Sequence, residues 1–135
     1  MIELGKKQTL EVVKKVDFGV YLGTNEERVL LPKKQVPRDI EIGDPIEVFL
    51  YKDSSDRMIA TTNEPALTLG EVGVLKVKEV TKIGAFLDWN LEKDLLLPFK
   101  EQIRDVKAEE EVLVRLYVDK SGRLCASMKI YDYLE

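Results

Sequence analysis

Apolar and polar residues alternate along most of this chain with a period of two, the pattern of strands that bury one face. Residues 8–22 are rich in β-branched and aromatic side chains and broken only by Gly19, which predicts two strands or one long bent strand. Residues 29–31 predict a short third strand. Residues 32–39 predict a loop or one turn of helix, because Pro32 suits a first helical position and Pro37 discourages extension. The turn Gly43-Asp44-Pro45 leads into a fourth strand, in which Ile46, Val48 and Leu50 face inward and alternate with Glu47, Phe49 and Tyr51. Asp53-Ser54-Ser55-Asp56 turns the chain again, and residues 57–62 predict a fifth strand.

The pattern then runs a second time. Val-Lys-Lys-Val-Asp-Phe-Gly-Val-Tyr-Leu over 13–22 is echoed by Val-Lys-Glu-Val-Thr-Lys-Ile-Gly-Ala-Phe-Leu over 77–87. Val13 and Val77 are 64 apart, Gly19 and Gly84 are 65 apart, and Pro32 and Pro98 are 66 apart. From there the offset holds, so that 46–53 lies on 112–119 and 57–60 on 123–126. A period of this kind marks a duplicated structural unit. In the second copy Val112, Val114, Leu116 and Val118 are expected to face inward, and 109–111 replaces the Gly-Asp-Pro turn. The reading is therefore all-β: two tandem five-stranded OB-fold barrels, in domains 1–65 and 66–135. Phe18 and Tyr21 differ in parity along a regular strand. A bulge at Gly19 is expected to bring their rings to one face.

Composition narrows the function classes. There is no signal peptide and no apolar run long enough to span a bilayer, and the single Cys125 excludes an internal disulfide, which together predict a cytoplasmic protein with no membrane partner. Cys125 aligns with Ile59 and reads as a small packed hydrophobe. No histidine is present, which removes the commonest general base and the commonest nitrogen ligand for metals. The carboxylates are scattered through loops, and neither a phosphate-cradling nor a dinucleotide-binding glycine motif occurs. The expectation is a non-enzyme without cofactor or metal.

The net charge of −4 is shared evenly: ten basic against twelve acidic residues in the first half, eleven against thirteen in the second. Binding to phosphates depends on clustering rather than on the sum. The pairs Lys6-Lys7, Lys14-Lys15 and Lys33-Lys34 concentrate positive charge in the first copy.

Phe-Gly-Val-Tyr at 18–21, Leu-Leu-Pro at 30–32, and Asp53 with Arg57 four residues on resemble the S1 RNA-binding domain, the OB repeat named after the largest protein of the bacterial small ribosomal subunit. The resemblance implies that two aromatics flanking Gly-Ala or Gly-Val, a histidine on the third strand, and the Asp and Arg of the last hairpin line an RNA surface. By position these are Phe18, Tyr21, Asp53 and Arg57 in the first copy and Phe86, Asp119 and Arg123 in the second. Pro32 and Pro98 stand where the family usually has histidine, and Ile83 replaces the first aromatic of the second copy. The whole chain also resembles the amino-terminal part of the conserved virulence factor B family, bacterial cytoplasmic RNA-binding regulators with several such barrels followed by a winged helix. That likeness rests on the opening Met-Ile-Glu-Leu-Gly-Lys-Lys-Gln-Thr-Leu, the paired Leu-Leu-Pro, and Ala-Ser-Met-Lys-Ile-Tyr-Asp-Tyr at 126–133. It implies further partner domains, including a winged helix, with these residues either a truncated portion of a longer chain or a shortened member, the first being favoured by an end soon after the fifth strand.

Single-stranded RNA offers unstacked bases and a charged backbone, so a receptor needs exposed aromatic faces beside cations. Phe18 and Tyr21 would stack bases, Arg57 would stack or fork onto phosphate with Asp53 holding it, and Lys14, Lys15, Lys33 and Lys34 would track the backbone. Such contacts predict weak, salt-sensitive binding with little sequence preference, in the service of gene-expression regulation. The alternative is a protein-interaction or scaffolding module. In that case Phe18 is a core residue, and Asp53 and Arg57 form an exposed hairpin ion pair. Trp89 and Phe99 extend the surface or bury a contact between barrels, and Tyr51 and Tyr117 occupy matching outward positions on the fourth strand of each copy. Whether the lysine pairs surround Phe18 and Tyr21 separates the two.

Overall fold

Each copy of the repeat folds into five strands. The structure, a computed structural model, describes residues 2–133. The first copy forms β1 (Lys7–Val16), β2 (Gly19–Gly23), β3 (Arg28–Pro32), a 3₁₀ turn at Lys33–Gln35, β4 (Pro45–Lys52) and β5 (Met58–Thr61). The second forms β6 (Val72–Thr81), β7 (Gly84–Asp88), β8 (Leu95–Pro98), a 3₁₀ turn at Phe99–Glu101, β9 (Glu111–Val118) and β10 (Leu124–Ser127), then a 3₁₀ segment at Ile130–Tyr133. The chain divides into units Met1–Glu64 and Pro65–Glu135. Both are OB-type, and the fold is all-β apart from the 3₁₀ turns. No helix among the described residues is long and apolar enough to cross a membrane.

The first unit is a closed barrel in the order β1-β2-β3-β5-β4. Its ladders are antiparallel except for β3 against β5, joined in parallel at Leu30↔Ile59. β1 serves two neighbours: Lys7 to Glu11 pair with β4, and from Val12 onward the strand pairs with β2. At the changeover the register jumps from Val12↔Leu22 to Lys14↔Tyr21, leaving Val13 bulged. The expected bulge therefore lies in β1 and not at Gly19. An extra residue raises local twist, and β1 must bend where it leaves one partner for the other. β6 repeats the device, its register shifting between Val77 and Glu79. Val12, opposite Leu22, matches Val77, opposite Leu87, so the offset there is 65 rather than 64. The later drift to 66 falls in the loop between the second and third strands.

Gly19 has a different task. Val16↔Gly19 closes the β1–β2 hairpin, so only Asp17 and Phe18 make the turn. Gly19 has φ +152°, and an added Cβ would overlap the Leu31 carbonyl oxygen. The β2 and β3 backbones approach too closely here for any side chain. Gly84 is the counterpart, with φ +144° and a Cβ position 2.5 Å from the Leu97 oxygen and 2.9 Å from Pro98 Cα.

Inside the first barrel Val12, Val20, Leu22, Val29, Leu31, Ile46, Val48, Leu50 and Ala60 form the core. The matching Val77, Ala85, Leu87, Leu95, Leu97, Val112, Val114, Leu116 and Ala126 are buried in the second unit. Val118 was expected to join them but is 39% exposed, because it ends β9 opposite Leu124 at the mouth of the last hairpin. Phe49 and Tyr51 are buried as well, so the outward face of β4 is covered beyond Glu47, which stays exposed, and the strand keeps only part of the wet outer face that its alternation predicts. Gln35 staples the 3₁₀ turn to β5: its Oε1 accepts from Thr61 Oγ1 at 2.7 Å and from the Thr62 amide at 2.7 Å. Glu101 does the same for Ser127 Oγ, at 2.7 Å.

The close approach at Gly19 predicts a steep cost for any side chain there. Gly19→Ala should lose about 2 kcal/mol or more in urea unfolding, from strained φ plus overlap with the Leu31 backbone. Gly43→Ala, at φ +97° in open space, should lose about 1 kcal/mol from φ alone. Equal losses would show that overlap is not what requires Gly19.

Candidate nucleic-acid interface

The outer face of the first barrel carries one continuous cross-strand row. Lys14 on β1 is in register with Tyr21 on β2, Tyr21 with Leu30 on β3, Leu30 with Ile59 on β5, and Ile59 with Tyr51 on β4. Because Val20, Leu22 and Leu31 point into the core, the alternate residues of this row point out. Phe18 projects from the tip of the hairpin, 57% exposed. Its ring lies edge-on to Tyr21, centroids 6.4 Å apart and planes at 87°. The two-residue turn, rather than a bulge at Gly19, brings both rings to one patch, and the reading of Phe18 as a core residue is excluded.

A third member of the patch escaped the sequence reading. The Arg28 guanidinium carbon lies 4.8 Å from the Tyr21 ring centroid. Arg28 is opposite Gly23, two residues beyond Tyr21 on the same face, and its side chain reaches back to the ring. Such a contact contributes about 0.5–1 kcal/mol at an exposed site and fixes a planar cation beside an aromatic face. The parity of Arg28 with Leu30 along β3 was the available signal.

The lysines divide between two sides. Lys14 lies directly across from Tyr21, whereas Lys15 lies across from the core residue Val20. Lys33 and Lys34 are exposed on the 3₁₀ turn, and the Lys33 amide donates to the Phe18 carbonyl at 2.9 Å, fixing that turn to the hairpin. Lys14 thus adjoins Tyr21, while Lys33 meets the hairpin through its backbone at Phe18.

Asp53 and Arg57 end the β4–β5 hairpin, past Tyr51 and Ile59. Asp53 Oδ1 accepts from the amides of Ser55, at 2.9 Å, and Arg57, at 3.0 Å, while Oδ2 meets Arg57 Nη2 at 3.3 Å. The side chain of Asp53 is 21% exposed and that of Arg57 is 77% exposed. Burial pushes the Asp53 carboxyl up, but the amide hydrogen bonds and the Arg57 charge outweigh it and hold its pKa below the ordinary aspartate value. Burial, with Asp53 nearby, raises the Tyr51 hydroxyl. Asp53 therefore organises the turn and presents Arg57.

The second unit repeats the backbone with a different surface. Phe86 is in register with Glu79 and Leu96, so an acid stands where the first unit has Lys14. Ile83 replaces Phe18 at the hairpin tip, 58% exposed. At the positions of Lys15, Arg28 and Lys33 the chain has Val80, Asp94 and Phe99. Asp94 binds Lys78 at 3.2 Å, and Phe99 is 48% exposed. Trp89 is buried within this unit, its Nε1 donating to the Lys93 carbonyl at 2.7 Å. Asp119 closes its hairpin as Asp53 does, accepting from the Ser121 and Arg123 amides, at 2.9 Å each, and from Ser121 Oγ at 2.7 Å. Cys125 is buried, and that burial together with the Asp119 carboxylate pushes its thiol up to about 12. It packs as an inert hydrophobe. Among the described residues no group of three or more Cys, Asp or Glu side chains is arranged to hold a metal ion.

Comparison with known proteins follows the same division. The profile of a family described as S1 domain matches residues 4–63 and again 69–129. A Bacillus subtilis (strain 168) protein described as "Uncharacterized protein YitL" is 34% identical over 128 residues, covering 90% of this chain and 43% of the relative. A Staphylococcus epidermidis (strain ATCC 12228) protein named "Conserved virulence factor B" is 30% identical over 129 residues, with the same coverage of 90% and 43%. The chain thus spans less than half the length of these relatives. Among solved structures, a Streptococcus pneumoniae crystal structure described as a multidomain protein with nucleic acid binding domains superposes with a TM-score of 0.76 at 22% identity. It covers 97% of this chain and 48% of that one, a likeness of fold.

The hydrogen bonds that lower the Asp53 pKa make hairpin stability depend on pH. A carboxyl depressed in the folded state contributes fully above its unfolded pKa, about 4, and the contribution disappears as pH falls through the lower folded value. Asp53→Asn should therefore be less stable than the parent by about 1 kcal/mol at pH 7, with the gap closing below pH ~4. Urea unfolding at pH 7 and pH ~3 checks this, and a gap that widens in acid would contradict it.

Proposed function

Since the chain belongs to the S1 domain family along both of its halves, we propose that it is a binding module for single-stranded RNA, with the first unit carrying the contacts. The observation that supports this most strongly is the patch of Phe18 and Tyr21 with Arg28 on one ring and Lys14 across from Tyr21. Exposed rings stack bases without regard to sequence, and the cations meet the phosphates. Arg57, held by Asp53, extends the path past Tyr51 along the last hairpin, and Lys34 is exposed on the 3₁₀ turn. The absence of histidine and the turn-forming use of Asp53 and Asp119 leave no acid–base pair on this surface, which favours binding over catalysis. Affinity is weak and falls with salt.

In its cellular setting the module is a cytoplasmic RNA-contacting part of a bacterial regulator of gene expression, working beside further domains of a longer chain such as a winged helix. Its similarity to proteins named conserved virulence factor B supports this assignment. The second unit takes the scaffolding part. Glu79 and Asp94 flank Phe86 where the first unit has cations, so Phe86, Asp119 and Arg123 contribute little to RNA affinity.

Fluorescence anisotropy of a labelled oligouridine tests the reading. Stacking of one base on each ring contributes about 1–3 kcal/mol. Phe18→Ala/Tyr21→Ala should thus weaken binding roughly 30-fold or more, with wild-type affinity dropping steeply between low and moderate salt. Equal affinity of wild type and the double variant at both salt concentrations would instead favour scaffolding.

A further inference from the structure

Behind the aromatic hairpin of the first unit is a cleft of about 180 Å³, and three cations line it: Lys15 from β1, Lys33 from the 3₁₀ turn, and Arg38 from the segment that follows. Its apolar floor includes Val20 and Ile40, and one acid, Asp17, is on its rim. Three positive charges against one negative leave the cleft at +2 on a chain whose net charge is −4. Low-dielectric walls focus that potential. Among the described residues none of the three cations is held in an ion pair, and all three are exposed.

The volume restricts the ligand. Pockets for drug-sized molecules run to roughly 300–1,000 Å³. The cleft is smaller than these, and a phosphate group suits its size and charge.

The second unit supplies an internal control. It builds the same hairpin and 3₁₀ turn with Val80 in place of Lys15 and Phe99 in place of Lys33. Arg104 stands where Arg38 stands, and its guanidinium is tied to Glu110. The fold therefore has no structural need of a cation at the positions of Lys15 and Lys33, and at the position of Arg38 the second unit neutralises the cation with an acid.

We propose that this cleft holds a backbone phosphate of the bound RNA strand, one step from the bases stacked on Phe18 and Tyr21. This rests on the RNA-binding reading above and adds a second subsite, with Arg38 as a contact not otherwise assigned. Placement supports the path. The Lys33 amide is bonded to the Phe18 carbonyl, and Lys14 and Lys15 are consecutive, one across from Tyr21 on the stacking face and the other turned into the cleft. A strand that lays bases on the rings can thus drop its phosphate over the hairpin edge. The +2 balance with Asp17 on the rim fits one phosphodiester rather than a polyphosphate.

The test compares wild type, Lys15→Val/Arg38→Gln, Arg38→Gln alone and Phe18→Ala in the intact chain, by anisotropy with oligouridine across a salt series. Lys15→Val installs the residue that the second unit carries at the same place, and circular dichroism checks folding. Arg38→Gln alone provides a milder change on an exposed segment. Loss of one phosphate contact predicts binding weaker by roughly threefold to tenfold at low salt for the double variant, and a slope of log affinity against log salt shallower by about 0.7. Wild-type affinity and slope in both cleft variants, while Phe18→Ala weakens binding, would overturn the cleft and leave the stacking face standing. Loss in the cleft variants with Phe18→Ala unaffected would support the cleft and sink the stacking reading. No binding by wild type would sink both.

Discussion

The surface of this protein depends on a steric contact between two backbones. Where β2 begins, its main chain runs against the Leu31 carbonyl so closely that only a hydrogen can stand on the Cα of Gly19. That approach lets Val16 and Gly19 pair with two residues between them and ties the hairpin to β3 and its 3₁₀ turn through the Lys33–Phe18 hydrogen bond. Phe18 is left at the tip with no core to enter. An exposed aromatic is costly to solvate, yet here the backbone constraint outweighs the tendency of the ring to bury itself. The same contact at Gly84 places Ile83 outside in the second unit.

One backbone plan thus carries two surfaces. The barrel-interior sets of the two units match position for position and differ by a methyl group or two, as at Val20 and Ala85 or Ile46 and Val112. The outward positions differ in charge: Lys14 against Glu79, Arg28 against Asp94, Lys33 against Phe99. Interior packing restricts substitution because close-packed volume must be filled, whereas outward residues change nothing in the core and are free to follow whatever the surface meets. The contrast between units is therefore evidence about binding that the shared fold alone cannot supply.

The number of strands in each copy and the core residues Ile46, Val48, Leu50, Val112, Val114 and Leu116 were legible in the sequence, because alternation and an internal period of about 65 residues constrain them jointly. The bulge was misplaced because it depends on where β1 changes partners, a long-range event that leaves no mark at Val13 itself. Phe49 and Tyr51 broke the alternation rule because a strand read alone does not show what covers its outer face. At the candidate site, Phe18 and Tyr21 were legible from their spacing across a glycine. Arg28 was not, since its approach to Tyr21 depends on strand register. Asp53 and Asp119 were read as ligand contacts or exposed ion pairs, and their amide-capping of the hairpins emerged only from the geometry.

The central claim is that the hairpin tip of the first unit is a platform for bases. Intermolecular nuclear Overhauser effects in the intact chain saturated with a short oligouridine test it most directly, because they report ring-to-base proximity without relying on substitution. The account predicts cross-peaks from uracil ring protons to the aromatic protons of Phe18 and Tyr21 and none to those of Phe86. Cross-peaks confined to the Phe86 face of the second unit, or their absence from both faces at saturation, would contradict it.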